Sequence, residues 1–330
     1  MVTLSGITPS GRLTLGNYLG ALQRFATVDE PDDAYFFVAD LHALTTPHDA
    51  ARSARLARES VLLFLAAGLP PGTVFLQSQV PAHAQLAYLL ECTATVGELS
   101  RMIQFKEKSR RSGDRSVRAS LFTYPCLMAA DILLYGATRV PVGGDQDQHV
   151  ELARDLAIRF NRTYGETFVV PELGRAEVAA RVCDLQDPTA KMSKSAPEDA
   201  PGVIRMLDAP EAIRRKVARA VTDSEGIVRY DPAGKPGVSN LLEILSACTG
   251  SPPVVLAKDY TRYGELKSAV ADAVIAVLEP VRGRCIELES APGVVREALD
   301  AGRRRAEAVA VPTLERATRA IGLASVEPVC

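Results

Sequence analysis

Short β-prone runs alternate with helical patterns through the first half of the chain, and no other feature restricts its fold as much. The runs cover 2–7, 34–39, 74–77 and 138–142. Between them, apolar residues recur at helical spacing over 15–22, 49–67, 84–92, 121–135 and 146–160. Gly68 and the Pro70-Pro71 pair stop the second of these helices. Strands separated by helices of this length imply a parallel, doubly wound α/β sheet. After Thr189 the pattern changes. The segments 211–220, 238–248, 265–278 and 294–310 read as helices, with a last one near 312–320, and no strand stands out. A sheet domain over 1–185 and a second, all-helical domain over 186–291 are expected, with a C-terminal helix, 292–330, packing back on the first.

With 330 residues the chain can bury a sizeable core, and 47% hydrophobic against 24% charged residues is ordinary for a globular protein. A net charge of −2 supplies no global field for nucleic acid, so any basic surface must be local. One basic run exists, Arg101, Lys106, Lys108, Arg110, Arg111, Arg115 and Arg118. It is either solvated surface or a phosphate-contacting arm. The six Cys contain no C-x-x-C pair and lie far in sequence from the four His. Neither a zinc site nor a disulfide framework is expected, and a reducing cytoplasm fits. No run of eighteen apolar residues and no basic-then-apolar N-terminal segment occurs. No membrane span and no signal peptide are therefore expected.

Ligands of open parallel sheets bind beyond the carboxyl ends of the strands. Three stretches stand at such ends: 6–17, 40–42 and 143–146. In the first, Gly6 and Gly11 permit close backbone approach, Gly16 lets a ligand lie against a helix start, and Thr14 and Asn17 offer neutral donors. In the third, Gly143 and Gly144 bring backbone N–H groups forward, Asp145 can accept from a ribose hydroxyl, and Gln146 can donate and accept. Asp145 could equally cap the following helix. Tyr124, Met128, Asp131 and Tyr135 share one face of an otherwise apolar helix. A buried carboxylate there must face water, find an internal donor, or meet a ligand donor.

The loop Lys191-Met192-Ser193-Lys194-Ser195 carries two ammonium groups and two hydroxyls in five residues, in a chain of eight Lys and thirty Arg. Pro188 disfavours helix just before it. Compact charges on flexible stems suit a phosphate group that moves during a reaction.

Taken together, these stretches resemble the class I aminoacyl-tRNA synthetases, and within them the bacterial tryptophanyl-tRNA synthetases. The resemblance is carried by 9–17, the Gly143-Gly144-Asp145-Gln146 turn and the intact Lys191–Ser195 loop, together with 97–108, 124–135, 221–226 and 235–240. It spans essentially the whole chain. It implies a Rossmann-like catalytic domain and a helical anticodon-binding domain. It also implies a two-step reaction in which L-tryptophan and Mg·ATP give tryptophanyl-adenylate and pyrophosphate, and tRNA(Trp) then takes the aminoacyl group. A homodimer is implied as well, and Mg2+ enters with the nucleotide.

The resemblance also assigns residues. Asp131 would accept the indole N–H, with Met128 beside the ring and Leu4, Gly6, Ile132, Val140 and Val142 around it. Tyr124 and Gln146 would hold the amino group, with His42 nearby. Thr8, Ser10, Gly16, Gly143, Gly144, Asp145, Val182 and Met192 would meet ATP. Thr14 and Asn17 would contact phosphates, and Lys191, Ser193, Lys194 and Ser195 would hold pyrophosphate. Thr8 stands where many bacterial family members carry Gln, so sensitivity to tryptophan analogues is expected to differ. Inhibition constants unchanged on Thr8→Gln would rule that out. Three alternatives remain on the sequence: a tyrosine-specific enzyme of the same fold, a non-catalytic binding paralogue, and a second copy serving a specialised pathway.

Overall fold

The computed structural model describes residues 2–28, 31–106, 117–142, 147–175 and 182–323; for 139–142 and 173–175 it describes the backbone only. Three strands, β1 (Thr3–Ile7), β2 (Ala34–Val38) and β3 (Val74–Leu76), form a parallel sheet in the order β1-β2-β3. Their register pairs Leu4 with Tyr35, Gly6 with Phe37, and Phe37 with Phe75. A second parallel pair joins β4 (Arg139–Val142) to β5 (Glu172–Arg175), with β4 beside β1. Read across space, the strands run 3-2-1-4-5, so the chain reverses its progression between β1 and β4. In doubly wound folds that reversal opens the ligand crevice.

The helical pieces Leu15–Asn17, Tyr18–Leu22 and Gln23–Phe25 follow one another without a break and are called α1. Next come α2 (Asp40–Ala43), α3 (Ala50–Ala66), α4 (Ala82–Glu91), α5 (Val96–Arg101), α6 (Ala119–Leu134) and α7 (Asp147–Tyr164). The remainder is helical: α8 (Pro210–Ala218), α9 (Pro236–Thr249), α10 (Pro253–Leu256), α11 (Tyr263–Ser290) and α12 (Pro292–Ala320).

Period-two alternation divides the sheet between two apolar layers. Ile7, Phe36, Val38 and Val74 face α1, α3 and the helices after residue 203. Leu4, Tyr35, Phe37 and Phe75 face α4, α6, α7 and α12. Every residue of β2 is buried, as a central parallel strand covered on both faces must be. Local chemistry sets the helix starts. Asp49 caps α3 by accepting the Arg52 N–H at 2.7 Å, and Thr95 with Glu98 forms a capping box on α5. Gly250, at φ 78°, ends α9 in the left-handed region. α12 lies directly on β3, where a Cβ at Gly302 would come within 2.0 Å of the Val74 carbonyl.

Two sequence readings need correction. β5 was not recognised, because its four residues, Glu172, Leu173, Gly174 and Arg175, carry no β-branched side chain. The helices read as ending near 278 and 310 run on through Pro280 and Pro312 to Ser290 and Ala320. Each proline removes one helical N–H. The apolar faces continue beyond them, burying Val281, Cys285 and Leu288 in one helix and Thr313 and Ala317 in the other.

Lys235 fastens together two of the stretches that carried the sequence resemblance. Its ammonium lies 2.8 Å from Asp223 and 2.9 Å from Glu225, while Tyr263 donates its hydroxyl to Asp223 at 2.6 Å. These partners hold the Asp223 carboxyl well below its usual range. Gly237 completes the fit, since a Cβ there would meet the Val221 carbonyl at 2.2 Å.

Candidate active site

The chemistry-bearing side chains gather at the carboxyl ends of the strands. Thr8 follows β1, Asp40 and His42 follow β2, and Gln77 follows β3. Facing them is α6, whose Asp131 is 4% exposed. That carboxylate is not left without donors. Gln77 Nε2 and His83 Nδ1 both lie 2.7 Å from Oδ1, and His42 Nε2 lies 2.8 Å from Oδ2. Burial pushes the Asp131 carboxyl up, but the histidines at hydrogen-bond distance prevail and its pKa falls below the ordinary value. Protein donors therefore account for this buried charge, and its burial does not by itself require a ligand. An ionised carboxylate has about four lone-pair sites, so three donors leave one.

The chain of bonds goes deeper. His83 Nε2 lies 2.8 Å from the Tyr135 hydroxyl. Burial raises the Tyr135 pKa, so the phenol keeps its proton, and a neutral His83 that gives its Nδ1 N–H to Asp131 accepts that proton's hydrogen bond at Nε2. On the crevice side, Tyr124 meets His42 edge-on at 6.2 Å between ring centroids. The Tyr124 hydroxyl donates to Gln104 at 3.2 Å and lies 2.6 Å from His149 Nε2. Met128 is half-buried one turn before Asp131, while Leu4 and Ile132 are buried. Asp40 anchors the crest of β3, accepting the Ser78 N–H at 2.9 Å.

The residues expected to meet the nucleotide form a second cluster. Thr14 is 1% exposed, and its backbone N–H and hydroxyl reach Asn17 Oδ1 at 3.0 and 3.1 Å. With Oδ1 accepting from Thr14, the Asn17 amide N–H groups remain as donors toward a ligand. The Met192 N–H donates to the Val182 carbonyl at 3.1 Å, so any adenine contact at this pair falls to the Val182 N–H and the Met192 carbonyl. Lys194 reaches across to the turn after β1, where its ammonium donates to the Thr8 carbonyl at 2.6 Å. Burial, with the neighbouring charge of Lys191, pushes the Lys194 ammonium down to about 8. Lys191, Ser193 and Ser195 are exposed, as is Ser10, and Thr8 is half-buried.

The three glycines of the first turn have different reasons to be glycine. A Cβ at Gly6 would strike the Phe37 ring at 2.5 Å, and one at Gly11 would strike the Lys194 carbonyl at 1.9 Å. At Gly16 the nearest atom, Val182 Cβ, would lie at an ordinary 3.5 Å. Packing demands the first two and is indifferent to the third.

Val140 and Val142 lie in β4, with side chains beyond what is described. Gly143, Gly144, Asp145 and Gln146 lie outside the described residues, as do Lys108, Arg110, Arg111 and Arg115. The sequence reading passed over Gln77, His83 and His149. Each sits on an element distant in sequence from Asp131, and no local spacing links them. Only His83 stands on a helix rich in apolar residues, and a buried position there reads equally well as core.

Comparison with known proteins bears on this arrangement. The family described as tRNA synthetases class I (W and Y) matches residues 1–279. Tryptophan--tRNA ligase 1 of Streptomyces coelicolor is 57% identical over 324 residues, 97% of this chain and 96% of that protein. The tryptophan--tRNA ligase of Bacillus subtilis is 46% identical over 323 residues, 97% of each. The crystal structure of tryptophanyl-tRNA synthetase from Mycoplasma pneumoniae superposes with a TM-score of 0.87 at 34% identity, over 98% of this chain and 99% of that one. The Campylobacter jejuni enzyme complexed with ADP and tryptophan gives 0.80 at 30% identity, over 98% of this chain and 100% of that one. The chain belongs to the class I aminoacyl-tRNA synthetases, a Rossmann-like parallel-sheet domain joined to helices. Within that class it is one of the bacterial tryptophan--tRNA ligases.

Proposed function

We propose that tryptophan activation takes place in the crevice between β1 and β4, with the indole over Asp131 and the phosphates between α1 and the Lys191–Ser195 loop. The observation that carries this reading is the span of Lys194 to the Thr8 carbonyl, which brings the cationic loop to the carboxyl end of β1. The indole N–H takes the remaining lone pair of Asp131, on Oδ2. Met128, Leu4, Gly6 and Ile132 surround the ring with Val140 and Val142, while Tyr124, His42 and Gln146 address the amino-acid end. ATP lies against Thr8, Ser10, Gly16, Gly143, Gly144, Asp145 and the Val182–Met192 backbone. Thr14, Asn17, Lys191, Ser193, Lys194 and Ser195 address its phosphates.

The tryptophan carboxylate attacks the α-phosphorus, and pyrophosphate leaves. Mg2+ arrives with ATP and is carried on its phosphates. Protein groups form no bond to the reactants. They position them and offset charge that grows on the leaving group. In the second step the terminal 2′-hydroxyl of tRNA(Trp) takes the aminoacyl group from the adenylate. The test is tryptophan-dependent ATP–pyrophosphate exchange. Exchange with tryptophan and none with tyrosine supports the reading, and tyrosine-dependent exchange overturns it.

Gly16 supplies a sharper check. Alanine there meets no protein atom closer than 3.5 Å. Gly16→Ala is therefore expected to leave the thermal midpoint within about 2 °C while raising the KM for ATP roughly tenfold through its methyl group at the nucleotide. An unchanged KM removes Gly16 from the ATP site.

Three wider assignments belong to the same reading. The unit over 186–291 reads the anticodon, and the segment 292–330, which begins with α12 (Pro292–Ala320), belongs with the catalytic unit, 1–185. Its location is the cytoplasm; among the described residues no helix is long and apolar enough to cross a membrane. The active form is a homodimer, for which the exposed apolar side chains Tyr88, Val96 and Ile103, at 65%, 72% and 58%, offer a surface. Sedimentation at micromolar concentration is expected to show a dimer that Val96→Lys weakens; a parent monomer would sink that assignment.

A further inference from the structure

Arg205 is among the largest buried side chains, 2% exposed, and the sequence reading gave it no role. Its guanidinium makes four bonds, all to backbone carbonyls. Nη1 donates to Arg12 at 3.0 Å and to Lys194 at 3.1 Å. Nη2 donates to Ala196 at 2.8 Å and to Pro197 at 3.1 Å. Nε has no partner. Among the described residues no carboxylate bonds the guanidinium. The nearby Asp208 accepts the Arg205 backbone N–H at 2.9 Å and the Lys216 ammonium at 2.7 Å. Asp208, Glu198 and Glu59 offset part of its charge from a distance, but a buried guanidinium with no carboxylate bonded to it is expensive, and a core of aliphatic side chains would avoid that expense. What the expense secures is visible in the acceptors. Three belong to the Lys194 peptide and the two residues after Ser195, and the fourth lies in the turn just before α1.

The surroundings make the grip two-sided. Leu15 donates to the Ile204 carbonyl at 2.9 Å, and Met206 donates to the Leu13 carbonyl at 3.0 Å, so the backbone carrying Arg205 is itself fixed to the start of α1. Gly11 lies against the same Lys194 carbonyl, and any Cβ there would stand 1.9 Å from it. The Lys194 carbonyl is thus met by both a glycine and a guanidinium fork. A planar fork with five donors can serve four carbonyls at once, which a lysine ammonium with three cannot.

We infer that Arg205 is a positioning residue for the ATP step: it holds the Lys191–Ser195 loop against the turn before α1, so that the Lys194 ammonium stays at the turn after β1. This rests on the proposed role of the loop in holding phosphates.

The test uses the full-length chain with Arg205→Ala and Arg205→Lys, the latter keeping the charge if the alanine variant fails to fold. Trypsin cuts after Lys191 and Lys194, so its cleavage rate reads the release of the loop independently of catalysis. Both variants are expected to be cut in the loop about tenfold faster, and to lose roughly 10- to 100-fold in exchange kcat from misplacement of a catalytic charge. The KM for tryptophan should stay within about twofold. Millimolar guanidinium ion is expected to restore part of the rate of Arg205→Ala. Gly11→Ala, whose methyl group would displace the same peptide, should give the same cleavage and kcat changes. A folded Arg205→Lys with parental cleavage and exchange rates overturns the inference. So does a variant whose thermal midpoint and tryptophan KM change while loop cleavage does not. If Lys194→Ala left exchange intact, the role of the loop would fail, and fast cleavage of Arg205→Lys would still support the hold of Arg205 upon it.

Discussion

Lys194→Ala is expected to slow tryptophan-dependent pyrophosphate exchange by more than about tenfold, because it removes a preformed positive charge from the developing pyrophosphate. The ammonium already lies at the turn after β1, bonded to the Thr8 carbonyl at 2.6 Å. No reorganisation of the loop is then needed to bring it there. Burial together with Lys191 lowers its pKa to about 8, against an ordinary 10.5. The sign of two pH effects follows. In the ligand-free protein the lowered value costs stability wherever the unfolded lysine is charged. That cost is complete below about pH 8 and disappears as pH rises from 8 toward 10.5. Phosphate binding needs the charged form and runs the other way. The KM for ATP is expected to rise between pH 7 and pH 9, and the rise should flatten in Lys194→Ala. Exchange rates and ATP KM values for the two proteins across that range check both statements. A parental rate in the variant would take Lys194 out of the reaction.

Asp131→Ala is expected to raise the tryptophan KM by a factor of roughly 10 to 150, the equivalent of losing a hydrogen bond to a charged acceptor worth about 1.5–3 kcal/mol. The structure adds a complication to that experiment. The same substitution leaves His42, Gln77 and His83 without their acceptor, so the pocket itself will loosen. Asp131→Asn keeps the shape better, and the substrate can be altered in place of the protein. Replacing the indole N–H by sulfur in the benzothiophene analogue removes the donor alone. The parent is expected to discriminate against that analogue, and Asp131→Asn to discriminate far less. Equal discrimination by both would remove Asp131 from contact with the indole. Because the folded carboxyl is held below its ordinary pKa, its contribution to stability is present above about pH 4 and is lost as pH falls below that.

Several features were legible before any coordinates. β-prone runs at 2–7, 34–39, 74–77 and 138–142, separated by helical patterns, announced parallel strands, since residue type and helical spacing are local properties of each segment. The Lys191–Ser195 loop and the Thr14–Asn17 turn could be found because their chemistry is local, carried by a few consecutive residues. Asp131 drew attention as a charge on an apolar helix, but the sequence could not say what satisfied it. Its donors stand after β2, after β3 and on α4, brought together only when the sheet assembles. Gly6 and Gly11 read as openings for a ligand, yet both are demanded by neighbours remote in the chain, Phe37 and Lys194.

What the sequence by itself determined was the order of most elements and the family, and it marked the Lys191–Ser195 loop and Asp131 as candidates for phosphate and carboxylate chemistry. Tertiary structure alone decided how the buried carboxylate at position 131 is balanced and what holds the basic loop in place. Hydrogen bonds depend on distance and angle in space, and a chain that folds back through 89 residues to join His42 to Asp131, or 193 to join Arg12 to Arg205, leaves no local pattern of that pairing.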